Sequence, residues 1–115
     1  MPCLNLTTNV NLDAVDTSAI RSEAISAVSK HTGLPESDIM TSLKGSVPMT
    51  FGGTEQPTAF GELVSVGGLN PDVNEKISAA ISTILETKLN VPKSRFFLKF
   101  HDTEGSNFGW NGSTF

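Results

Sequence analysis

The sequence predicts an α+β domain built from two pseudo-symmetric β-α-β halves, with a four-stranded mixed sheet and two antiparallel helices packed on one of its faces. Three observations predict it. Short stretches of alternating apolar and polar residues recur along the chain, and two longer stretches between them carry apolar residues at three- and four-residue spacing. The chain also repeats at an offset of 57 residues, which lays Gly33-Leu-Pro-Glu-Ser-Asp-Ile39 over Asn90-Val-Pro-Lys-Ser-Arg-Phe96 and Leu6 over Leu63. Right-handed crossovers in both halves give the mixed sheet and place both helices on the same side. The 115 residues form a single domain, with halves of approximately 1–57 and 58–115.

The elements follow in order. Leu4-Asn5-Leu6-Thr7-Thr8 alternates and carries β-branched threonines, so the chain opens on a strand fixed in the sheet. Asp16-Thr17-Ser18 offers helix caps. Ile20, Ala24, Ala27, Val28 and His31 then mark a helix over roughly 17–32 that stops at Gly33, with Pro35 beyond. Ile39 to Lys44 is a strand, followed by a long irregular connection through Gly45, Pro48 and Gly52-Gly53 that contains Met49 and Phe51. Phe60 to Val66 is the next strand. Asn70-Pro71 caps the second helix, whose stripe of Val73, Ile77, Ala80, Ile81, Ile84, Leu85 and Leu89 is the most periodic in the chain. After Pro92, Arg95 to Phe100 is a strand with Phe96, Leu98 and Phe100 on one face and Phe97 and Lys99 on the other. The tail from Phe108 to Phe115 holds an Asn111-Gly112 hairpin turn. With Phe97, Val64, Val66 and this tail, the uncovered sheet face reads as too apolar for water, which predicts burial against other copies of the chain.

Composition excludes several classes of partner. A net charge of −4, a pI near 5.0 and only eight scattered lysines and arginines argue against nucleic acid and against an anionic membrane surface. No apolar run suits membrane insertion, and no basic segment leads into an apolar core, so a cytoplasmic protein is expected, with any secretion leaderless. The sequon at Asn111 then reads as a chance match. Cys3 is the only cysteine, which excludes an internal disulfide. His31 and His101 lack ligand spacing, and neither a metal nor a cofactor is expected.

The chemistry concentrates at the start. Removal of Met1 would leave Pro2 with a free secondary amine; α-amino groups titrate near ~7.7–8.0, and an apolar pocket disfavours the cation, so this nitrogen suits a general base. The Met-Pro start before a strand, Phe51-Gly-Gly53, Ser65-Val-Gly67 and the ending Gly109-Trp-Asn-Gly-Ser-Thr-Phe115 together resemble the macrophage migration inhibitory factor and D-dopachrome tautomerase family, its plant members in particular. The resemblance spans the whole chain. It implies a homotrimer with pockets between subunits, in which the terminal proline catalyses keto–enol tautomerisation of aromatic α-keto acids such as phenylpyruvate, or dopachrome isomerisation. It also implies a pocket lined by Ser65 and Val66, an aromatic wall of Phe108 and Trp110, and Phe115 as the closing tail.

Three positions depart from the family pattern. Its lysine is Leu34 here, its strand tyrosine is Phe97, and its strand asparagine is Lys99. Leu34 removes the ammonium that holds a substrate carboxylate, and Lys99 is the expected replacement cation. The family's Cys-x-x-Cys oxidoreductase element falls on Pro57-Thr-Ala-Phe60, so that activity is not expected. Glu23 matches a position tied to a nuclease role, but reads as a solvated helix-face residue in so acidic a chain. Three functions follow: a tautomerase with an altered pocket, a cytokine- or chemokine-like ligand for a receptor or intracellular partner, or a scaffold that keeps only the fold.

Overall fold

Each predicted strand and helix forms in the computed structural model, which describes residues 1–115: β1 (Pro2–Thr8), α1 (Thr17–Thr32), β2 (Met40–Lys44), β3 (Ala59–Ser65), α2 (Pro71–Leu89) and β4 (Phe96–Asp102). A short hairpin, β5 (Gly109–Trp110) and β6 (Ser113–Thr114), ends the chain. The sheet order is β2-β1-β3-β4, with β1 parallel to β2, β3 parallel to β4, and the halves joined by the antiparallel pair β1 and β3. Each helix returns against its own parallel pair, so α1 and α2 run in opposite directions. An offset of 57 carries β1 onto β3 and the one-turn helix Glu36–Asp38 onto Lys93–Arg95. These one-turn helices were not predicted.

Local chemistry sets the helix ends. Asp16 accepts from the Ala19 N–H at 3.2 Å and from the Ser18 hydroxyl at 2.7 Å, and these bonds, the Ser18 one foremost, hold its carboxyl below the usual range. Gly33 and Asn90 close the helices in the left-handed conformation. Ile20, Ala24 and Val28 of α1 and Ile77, Ile81, Leu85 and Leu89 of α2 pack on Leu4, Leu6, Ala59, Leu63 and Phe96 in one buried cluster. Glu23, read as solvated, is exposed on α1 and lies 3.7 Å from Lys88 of α2, a surface pair.

Strand ends differ from expectation by about one residue, except that β1 begins two residues earlier, at Pro2, and β4 continues through His101 and Asp102 because its partners Val64 and Ser65 continue beside it. His101 therefore lies within the ladder, where its Nε2 faces Glu62 Oε2 at 3.2 Å.

The uncovered face is less apolar than the sequence reading held. Register places three rows across it: Met40, Cys3, Val64, His101; then Ser42, Asn5, Glu62, Lys99; then Lys44, Thr7, Phe60, Phe97. The middle row is polar throughout, and Ser42 donates to Asn5 Oδ1 at 2.7 Å. The earlier reading counted Val64 and Phe97 but passed over the polar residues that alternation puts between them. Val66 lies past the end of β3, and the aromatic tail folds as its own hairpin. Large apolar exposure is confined to two ends of the molecule, with Met40 at 68% and Trp110 at 60% at one, and Phe97 at 64% at the other.

Candidate active site

Because β1 and β2 are parallel, their first residues emerge at the same end of the sheet, where the tail hairpin meets them. A cavity of about 500 Å³ opens there, lined by Pro2, by Ser37, Asp38 and Met40 on the approach to β2, and by Phe108, Trp110 and Phe115 of the tail. This volume suits a small aromatic molecule.

The aromatic wall is built by the tail's own geometry. Asn111 and Gly112 both take positive φ, 53° and 76°, as a two-residue hairpin of this kind requires. The turn folds Phe115 back onto Trp110, with rings stacked at 5.7 Å, and against Phe108 at 5.9 Å. The Phe115 N–H donates to the carbonyls of Gly105 at 3.1 Å and Phe108 at 3.2 Å. Close approach demands glycine at 105, since a Cβ there would lie 2.7 Å from the Phe115 carbonyl oxygen. Gly105→Ala should therefore displace Phe115 from Trp110 while leaving the sheet and helices intact. The check is the near-UV circular dichroism and emission of Trp110, the only tryptophan, beside far-UV spectra; an unaltered Trp110 signal would refute the contact.

Pro2 is fully buried and laddered to Ser65, whose hydroxyl donates to the Gly67 carbonyl at 2.6 Å. With Met1 attached, the Pro2 nitrogen is an amide without basicity. Met1 itself lines the cavity, and its ammonium donates to the Val66 carbonyl at 3.5 Å. Beside it, burial pushes the Cys3 thiol up, an effect only partly offset by its bond to Asn5.

Of the nine residues singled out from sequence, the structure brings Pro2, Phe108, Trp110 and Phe115 together. Ser65 and Val66 neighbour the Met1–Pro2 backbone without lining the cavity. Leu34 packs over the turn after β3, where a Cβ on Gly68 would sit 3.1 Å from its Cδ1. Phe97 and Lys99 project from the uncovered face. Phe97 meets Phe51 edge-on at 5.0 Å, and Lys99 is the ladder partner of Glu62, two strands from Pro2. Sequence reasoning missed Ser37, Asp38 and Met40. The signal for them was topological, because a parallel β-α-β unit must bring the residues leading into its second strand beside the start of its first.

A duplicated β-α-β domain with a buried amino-terminal proline and an aromatic-walled cavity at the open end of its sheet defines the class of fold. The sequence pattern of the macrophage migration inhibitory factor (MIF) family matches residues 1–115, and the chain belongs to that family. It is 35% identical over 115 residues to the macrophage migration inhibitory factor homolog of Trichuris trichiura, covering 100% of both chains. Among solved structures, the homologue from Prochlorococcus marinus superposes with a TM-score of 0.94 at 34% identity, covering 98% of each chain. The factor from Trichinella spiralis gives 0.89 at 34%, covering 98% of this chain and 99% of that one. A specific likeness to plant members finds no support in these three relatives. No helix is long and apolar enough to cross a membrane.

Proposed function

We propose that the protein is a keto–enol tautomerase of aromatic carbonyl compounds, with the Pro2 nitrogen, freed by removal of Met1, as its general base. The observation that carries this reading is the position of Pro2 in a cavity walled by Phe108, Trp110 and Phe115, with Met1 in the space that its own removal would open. The amine takes the proton from the carbon beside the carbonyl, the C–H electron pair moves into the new C=C bond, and the carbonyl π electrons go to oxygen. The ammonium so formed then returns the proton to that oxygen, giving the enol. Turnover of an aromatic keto compound by Met1-trimmed and Met1-retaining protein tests the assignment.

The working form in this reading is a homotrimer. Support comes from two separated apolar surfaces, one around Met40 and Trp110 and one around Phe60 and Phe97, because head-to-tail contact between unlike patches forms a ring where the rotation between neighbours closes. A neighbour presenting its uncovered face to the cavity would bring its own Phe97 and Lys99 there, the pocket role expected for both. Sedimentation at micromolar concentration should give close to three times the 12.2 kDa chain mass, and a monomer would sink this arrangement. A second reading is a cytokine-like ligand with an idle pocket, acting on a receptor or intracellular partner. It is favoured by one observation, that no lysine or arginine lines the cavity. Cytoplasmic residence is compatible with either.

A further inference from the structure

We infer that His101 is a positioning residue for the neighbouring subunit's cavity: by holding the Glu62 carboxylate, it leaves the Lys99 ammonium free to bind the carboxylate of an aromatic acid. This rests on the proposed subunit arrangement, which brings Lys99 of one subunit to the cavity of the next, and not on Pro2 as the base. The middle row of the uncovered face runs Ser42, Asn5, Glu62, Lys99. Three of the four have side-chain partners on that face. Ser42 donates to Asn5 Oδ1 at 2.7 Å, and Glu62 Oε2 lies 3.2 Å from Nε2 of His101, two residues along β4 from Lys99. Lys99 is exposed and makes no ion pair.

Register alone would give a different pairing. Glu62 is the ladder partner of Lys99, and opposite charges facing each other on neighbouring strands attract. What draws the carboxylate aside is the imidazole, since the rest of the His101 row, Val64, Cys3 and Met40, carries no charge. A carboxylate only accepts, so the ring N–H donates, and the bond forms with the imidazole neutral or charged. Without that donor the Glu62 side chain is free to turn to Lys99. An aromatic acid entering the cavity would then compete with an ion pair for the ammonium. The cavity's own charged groups, Asp38 and the terminal amine, act on an anion equally with or without His101, so its effect stands out as a difference between variants.

Trp110 in the cavity wall reports binding directly. The experiment titrates Met1-trimmed protein with 3-phenylpropionate and with 3-phenylpropionamide and follows Trp110 quenching, in wild type, Lys99→Ala, His101→Phe and the double variant His101→Phe/Glu62→Gln. Sedimentation confirms that each variant assembles, and His101→Ala repeats the test where the phenyl ring prevents assembly. In His101→Phe the carboxylate should bind about three- to tenfold more weakly, the low end for a charge-assisted bond because the groups are partly exposed. The amide should bind as in wild type. Adding Glu62→Gln should restore carboxylate binding, a rescue that a packing role for His101 would not show. Lys99→Ala should lose at least as much carboxylate affinity as His101→Phe. Carboxylate affinity that is unchanged in His101→Phe, that falls equally for the amide, or that Glu62→Gln fails to restore overturns the inference. If Lys99→Ala still weakens the carboxylate in those cases, the subunit arrangement stands without it. Unchanged carboxylate binding in Lys99→Ala overturns both together. Neither ligand needs to react, so the expected pattern without turnover of any carbonyl compound would leave the role of His101 standing and remove Pro2 as the base.

Discussion

Protein that begins at Pro2 should enolise ethyl phenylpyruvate, and phenylpyruvate itself, about 10²- to 10⁴-fold faster than protein that retains Met1, the range a well-placed general base supplies. The two forms differ in the nitrogen's chemistry and in the space at its side, since the fold described above already accommodates Met1. Because the neutral amine is the active form, kcat/KM should rise with pH through the amine's titration and level off above it. Pro2→Gly should lose most of the trimmed protein's rate, because a primary amine on an unconstrained residue replaces a ring held in place by the sheet. Equal turnover by trimmed and Met1-retaining protein would show that another group takes the proton and would move the weight to the signalling reading.

The fold was legible because several local signals agreed. Pro35 and Pro92 stop their helices at equivalent points of the repeat, and the stripes on α1 and α2 match the residues that are buried. The site was legible only where one segment carried it, at Pro2 and along the tail. Its other wall comes from Ser37 to Met40, which 3.6- and 2-residue periods do not flag, because a one-turn helix presents no stripe. The uncovered face was misjudged for a related reason. Asn5, Ser42, Glu62 and Lys99 lie far apart in sequence, and only the strand register shows that they form one polar row. The repeat itself hid a difference of function. It superposes Asp38 on Arg95, yet the acid faces the cavity while the cation serves a loop at the other end of the molecule.

Arg95→Ala should destabilise the fold by about 2–4 kcal/mol, far more than a typical surface substitution. Its Nε donates to the Pro57 carbonyl at 2.9 Å, Nη1 to Phe51 at 3.0 Å, and Nη2 to Thr54 at 3.3 Å and Gln56 at 2.9 Å. The guanidinium also lies over the Phe51 ring, 5.3 Å from its centre. A charge-assisted bond to a carbonyl contributes about 1.5–3 kcal/mol, so the sum of four would exceed the estimate. The estimate is lower because the group is partly exposed and water replaces some of what is lost. The loop needs this tie, since Gly52 and Gly53 turn it sharply at φ 59° and 81° and a single bridge between Phe51 and Thr54 is its only sheet pairing. Arg95→Lys should recover only part of the loss, because one ammonium cannot reach carbonyls spread across the guanidinium plane. Urea unfolding measures both variants, with Lys99→Ala as the comparison expected to change stability by less than about 0.5 kcal/mol. A midpoint for Arg95→Ala within that same margin of wild type would mean that the loop holds its shape without the arginine. Since Phe51 packs edge-on against Phe97, loss of the tie should also loosen the apolar patch on the uncovered face.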